Sequence, residues 1–152
     1  MNEGGKKRVL FICTHNAGRS QIAEALLRHL FGDRYEAYSG GVEPGQLNPY
    51  VVRSMKELGL DLWGQRSKHI DEFQGWEFDQ VITVCDNAAD TCPFFPGGKE
   101  YMHQSFPDPA GFTGSKEEVL AQVGQVRDEI MEWIQETFGP EDSQQDSNYQ
   151  DT

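Results

Sequence analysis

Val9-Leu10-Phe11-Ile12-Cys13-Thr14-His15-Asn16-Ala17-Gly18-Arg19-Ser20 is an apolar run, a cysteine, five residues, an arginine and the start of an amphipathic stretch. Four apolar residues in unbroken succession fit a strand buried on both faces of a parallel sheet. From Arg19 to Phe31, residues Ile22, Ala23, Leu26, Leu27 and Leu30 recur at helical spacing, and Gly32 supplies a stop. The segment therefore reads strand, loop, helix. A loop of this length entering a helix turns successive backbone N–H groups inward and cradles a tetrahedral oxyanion. Thr14, His15, Asn16, Ala17, Gly18 and Arg19 are the expected oxyanion-binding residues, with the Arg19 fork suited to two oxygens at once. The helix N-terminus, Arg19 and the Ser20 hydroxyl all favour the thiolate of Cys13, the nucleophilic form. Gly18 is expected to supply backbone freedom and Asn16 to order the loop through side-chain hydrogen bonds. The His15 imidazole is assigned no role. A lone cysteine at a strand end would read as plain core; the complete motif outweighs that reading.

Outward from this segment, strand and helix alternate. Residues 35–39 form a short second strand closed by Gly40-Gly41. Asn48-Pro49 reads as an N-cap and first helical residue, with Val51, Val52, Met55 and Leu58 on the apolar face and Gly59 ending the helix. Residues 81–84 are the next buried strand, ending at Cys85 and the polar stretch 86–91. Ser115-Lys-Glu-Glu118 has the capping-box form, and Leu120, Val123, Val126, Ile130 and Ile134 carry a long helix to Gly139-Pro140. The expected fold is α/β, a three-layer open parallel sheet flanked by helices in one domain spanning 1–140. Residues 141–152 hold four acids, no base and no large aliphatic side chain, and read as an acidic disordered tail. In open parallel sheets, sites form where strand C-termini meet helix N-termini, so Cys13 and Cys85 are placed to share one rim.

Two further signals carry chemistry. Cys85 and Cys92 are separated by six mostly small, polar residues. They can be a dithiol that closes into a disulfide when the 86–91 stretch rearranges, a buried structural pair, or zinc ligands completed by His69 or His103. Zinc ligands usually come closer together and in fours, and the chain has three cysteines. In Phe106-Pro-Asp108-Pro109-Ala-Gly111 the aspartate sits on a stiff, turn-prone loop, suited to donating a proton to a leaving oxygen.

Composition bounds the rest. With 152 residues, 37% of them apolar, the chain can bury one core. Its net charge of −12 argues against nucleic-acid binding and against an anionic membrane surface. The apolar runs are strand-sized, far short of the ~20 residues a membrane span requires, and no secretory leader is evident. The expectation is a monomer in the cytoplasm, where an odd number of cysteines suggests chemistry rather than a disulfide framework.

Over nearly all of residues 7–138 the sequence resembles the low-molecular-weight tyrosine phosphatase fold and, within it, the thioredoxin-coupled arsenate reductases. The Cys-x5-Arg-Ser loop at Cys13–Ser20 and Asp108-Pro109 are common to both branches. The Cys85/Cys92 pair, Tyr38-Ser39-Gly40-Gly41 and Val126-Arg-Asp-Glu-Ile130 are similar to the reductases. Ala110 stands where the phosphatases usually carry a tyrosine. The resemblance implies catalytic roles for Cys13, Arg19, Ser20, Cys85, Cys92 and Asp108, with arsenate as substrate and phosphate and sulfate competing. It implies thioredoxin as reductant and no cofactor. Two alternatives stay open: a phosphotyrosine phosphatase working through a Cys13 phosphoenzyme, and a zinc-stabilised binding module. Some family members hold a monovalent cation through positions matching Asn16, Glu24 and Ser39. The later acidic position is Lys68 here, whose ammonium would take the cation's place, so no metal is expected.

Overall fold

The structure, a computed structural model, describes residues 5–62, 64–85 and 94–139. Cys92, the 86–91 stretch and the 141–152 tail lie outside the described residues. Strands β1 (Lys7–Ile12), β2 (Tyr35–Gly40), β3 (Phe78–Thr83) and β4 (Gly98–His103) form one parallel sheet in the order β2-β1-β3-β4. Helices α1 (Arg19–Phe31), α2 (Pro49–Lys56) and α3 (Lys116–Phe138) follow β1, β2 and β4.

Alternation along β1 divides the core. Val9 and Phe11 face a cluster holding Ile22 and Leu26 of α1, Val51 and Met55 of α2, and Val123, Val126, Ile130 and Ile134 of α3. Leu10 and Ile12 face the other way, onto Ile70, Phe73, Phe78, Val81 and Phe95. The third layer of this α/β fold is thus a single 3-10 turn at Ile70–Phe73 and its neighbouring aromatics. The spacing predicts α1 to the residue, because its periodic face and its stop are both local. Asn48 accepts from the Tyr50 N–H, and Ser115 and Glu118 form the reciprocal capping box, as their sequences imply.

Three expectations shift. The buried stripe of α3 starts at Val119, with Leu120 only half-buried; Val119, Val123 and Val126 lie on the face turned to α1 and α2. Leu58, expected on the apolar face of α2, lies beyond the helix and is exposed. Strand β4 is absent from the sequence reading because it lies at the sheet edge with nearly every residue exposed, which leaves no hydrophobic period to read. Among the described residues no helix is long and apolar enough to cross a membrane.

The strand order places the site. From β1 the chain passes to β2 on one side and later to β3 on the other, so a crevice opens at the C-terminal end of β1. Ile12 and Thr83 are register partners, so β1 and β3 end level. Cys13 follows one strand directly and Cys85 follows the other by two residues.

Candidate active site

The loop after β1 is held by its backbone. The Cys13 N–H donates to Gly40 O at 3.2 Å, Thr14 O accepts from Val42 and Glu43 at 2.9 Å each, and Ala17 O accepts from Asn48 at 3.0 Å. Gly41 abuts this loop so closely that a Cβ there would stand 2.5 Å from Thr14 O and 2.6 Å from Cys13 O. The left-handed turn falls at Asn16, with φ 51°, a conformation asparagine tolerates. Gly18, next to Arg19, has φ −140° and ψ −86°, and an added Cβ there would make ordinary contact with Pro109.

Asn16 is fully buried and orders the loop, as its sequence position implies. Its Nδ2 donates to Ser20 Oγ at 2.7 Å, and its Oδ1 accepts from Gln21 Nε2 at 2.8 Å and from the Lys68 N–H at 2.9 Å. Gln21 Nε2 also meets Asn16 O at 3.0 Å and Arg66 O at 2.8 Å, while Gln21 Oε1 accepts from Gln65. Gln21 and Gln65 were missed by the sequence reading. No sequence signal marks them, because the burial of Gln21 in the first turn of α1 arises only from tertiary contact.

Cys13 is 2% exposed, with Sγ 2.8 Å from Ser20 Oγ. Arg19, also 2% exposed, donates from Nη1 to Phe106 O at 3.3 Å and approaches Asp108 Oδ2 with Nη2 at 3.4 Å. Asp108 uses its other oxygen to accept the Ala110 N–H at 3.0 Å, capping the 3-10 turn Pro109–Gly111. Cys13, Arg19 and Asp108 all line one cavity of about 650 Å³, which Leu47, Tyr50 and Phe112 also line. His15 reaches the rim, where its Nε2 lies 3.3 Å from Glu43 Oε1. A buried thiol and a buried guanidinium lining one cavity, with a carboxyl facing that guanidinium, suit attack on a tetrahedral oxyanion.

Cys85 is fully buried, and its thiol donates to Ile12 O at 3.8 Å, one residue from Cys13. The expected shared rim is present. Among the described residues, His69 Nδ1 accepts from the Asp71 N–H, and His103 engages Thr83 and Ser105. Among the described residues no group of three or more His, Cys, Asp or Glu side chains stands ready for a metal ion.

Behind the loop, Glu24 is 5% exposed and accepts from Ser39 Oγ and from Arg28 at 2.6 Å. Lys68 Nζ lies 3.7 Å from Glu24 Oε1 and 3.5 Å from Ser39 Oγ. Burial pushes the Lys68 pKa below its ordinary value, against the pull of Glu24. A positive charge already stands among these donors, so the residues do not fit an added monovalent cation.

Residues 8–139 match the model of the low molecular weight phosphotyrosine protein phosphatase family, and the chain belongs to that family. Within it, the chain is 44% identical over 125 residues to an arsenate reductase of Halalkalibacterium halodurans, covering 82% of this chain and 90% of that one. A solved arsenate reductase in its phosphate-binding state superposes with a TM-score of 0.67 at 29% identity, covering 86% of this chain and 98% of that one. The thioredoxin-dependent arsenate reductase of Corynebacterium glutamicum gives a TM-score of 0.57 at 32% identity, covering 87% of this chain and 63% of that one.

Proposed function

We propose that this arsenate reductase works by a three-cysteine thiol relay regenerated by thioredoxin. The observation that carries the reading is the placement of the Cys85 thiol against the Ile12 carbonyl, beside the strand end that presents Cys13. Hydrolysis of a phosphate ester needs Cys13, Arg19 and Asp108 and has no use for a second thiol there.

Arsenate sits in the loop amides with Arg19 on two of its oxygens. Cys13 attacks arsenic, and Asp108 gives a proton to the oxygen that departs as water. The Cys85 thiolate then attacks Cys13 Sγ. The sulfur–arsenic electron pair goes to arsenic, which falls from the +5 to the +3 state and leaves as arsenite. Cys92 attacks Cys85 and frees the Cys13 thiolate, and the dithiol of thioredoxin returns two electrons to the Cys85–Cys92 disulfide. Arsenate plus two thiols thus become arsenite, water and one disulfide. Such a cycle belongs in a reducing compartment, the cytoplasm. Phosphate and sulfate share the tetrahedral shape and charge and compete for the loop.

The apolar wall of Leu47, Tyr50 and Phe112 favours a second reading, in which an aryl phosphate also enters and is hydrolysed through a Cys13 phosphoenzyme. Single-turnover arsenate reduction with disulfide mapping separates the two. Cys92→Ser is expected to release one arsenite and stop at a Cys13–Cys85 disulfide, and Cys85→Ser to release none. Sustained wild-type turnover with thioredoxin in both variants would overturn the relay and leave the phosphatase.

A further inference from the structure

His103 ends β4 opposite Thr83, its register partner on β3. Its ring bridges two hydroxyls, with Nδ1 2.7 Å from Thr83 Oγ1 and Nε2 3.1 Å from Ser105 Oγ. Ser105 Oγ in turn donates to the backbone carbonyl of Cys85 at 3.2 Å. The single hydroxyl hydrogen of Ser105 is thereby committed, so toward His103 its oxygen can only accept. Nε2 therefore carries the ring proton, and in the neutral ring Nδ1 accepts from Thr83. The donors run one way, from Thr83 through His103 and Ser105 to the Cys85 carbonyl, and each bond polarises the next.

None of these three side chains takes part in the oxyanion chemistry. On the preceding side, the backbone approaching Cys85 is already fixed: Val84 donates to Ile12 O at 2.9 Å, and Gln104 donates to Thr83 O at 2.9 Å. The Ser105 hydroxyl fixes the other side. We propose that His103, acting through Ser105, is a positioning residue for the Cys85 thiol. It clamps the Cys85 backbone so that Sγ stays at the Cys13 end of the crevice. The inference rests on the thiol relay and adds to it the device that aims the second thiol. Attack of a thiolate on Cys13 Sγ must come in line with the sulfur–arsenic bond, and displacement by about 1 Å costs on the order of 100-fold in such steps.

The test is the rate at which the Cys13–Cys85 disulfide forms in a single turnover of the full-length chain with arsenate, quenched and mapped by mass spectrometry. The second readout is protection of Cys13 from iodoacetamide by inorganic phosphate, which fills the oxyanion loop without being reduced and so reports on the loop alone. Ser105→Ala and His103→Leu are expected to slow disulfide formation about tenfold, the value of one lost hydrogen bond, with protection unchanged. His103→Gln, whose amide can donate to Ser105 and accept from Thr83, is expected to restore the rate to within about threefold. Wild-type rates in Ser105→Ala and His103→Leu would overturn the clamp. So would a failure of His103→Gln to rescue, or a loss of phosphate protection equal to the loss of rate, since either would mean general damage. Arsenite release by Cys85→Ser at the wild-type rate is a different result: it would sink the relay itself.

Discussion

Ser20 Oγ stands 2.8 Å from Cys13 Sγ while accepting from Asn16 Nδ2 at 2.7 Å. A hydroxyl that accepts from an amide has its own hydrogen to give, and here the sulfur is in reach of it. The buried Asn16 side chain thus sets the direction of a hydrogen bond two contacts away, at the Cys13 sulfur. Ser20→Ala removes the one side-chain donor in contact with the sulfur among the bonds described. Hydrogen bonds to charged groups are worth about 1.5–3 kcal/mol, so alkylation of Cys13 by iodoacetamide at neutral pH should slow by about 10- to 100-fold. An unchanged rate would show that the loop amides and α1 suffice.

Arg19→Lys keeps the charge and loses the fork. The ammonium is a point donor and cannot hold two oxygens in parallel, nor keep the contacts to Phe106 O and Asp108 together. Arsenate turnover is expected to fall by about 100-fold or more, with the melting temperature little changed. Steady-state kinetics with arsenate measures it, and near-normal turnover would reduce Arg19 to a source of charge.

Asp108 meets Arg19 with one oxygen and the Ala110 N–H with the other, and variants separate the turn contact from the proposed general-acid role. Asp108→Asn keeps an oxygen to accept the Ala110 N–H and so retains the turn, but it cannot supply the acidic proton. Turnover should drop about 100-fold or more with the fold intact, whereas Asp108→Ala should also loosen the Pro109–Gly111 turn. Equal activity of Asp108→Asn and wild type would remove the general-acid role.

Lys68 gives the chain a pH dependence of known sign. Its side chain is 13% exposed beside Glu24, and burial holds its pKa below the ordinary 10.5. Between the lowered value and 10.5 the unfolded chain binds more protons than the folded one, so raising the pH across that window favours the folded state. Measured against Lys68→Met, the wild type should gain in melting temperature as the pH rises from neutral toward 10.5. A relative loss over that range would mean that the attraction of Glu24 outweighs burial.

Much of the fold and half of the site were legible in the residues. The limits of α1, the Asn48 cap and the Ser115 box are local patterns, written within one turn of helix. The Cys13 to Ser20 loop is equally local, because a strand that stops and a helix that starts leave the intervening amides little freedom to point elsewhere. Edge strand β4 and the Gln21–Gln65 bond were not legible. An exposed strand carries no hydrophobic period, and a polar side chain does not record which distant partner it will meet.

By itself, the sequence determined the parallel α/β architecture and the loop that carries Cys13 and Arg19, since buried runs, helical spacing and the Cys-x5-Arg interval are properties of neighbouring residues. The tertiary structure alone decided that Asn16 takes the left-handed turn, that Asp108 faces Arg19, that Lys68 stands beside Glu24, and that His103 reaches Cys85 through Ser105. Each of these joins segments brought together by strand order and register. Those are fixed by packing the whole core at once, and a stretch of sequence read alone does not contain them.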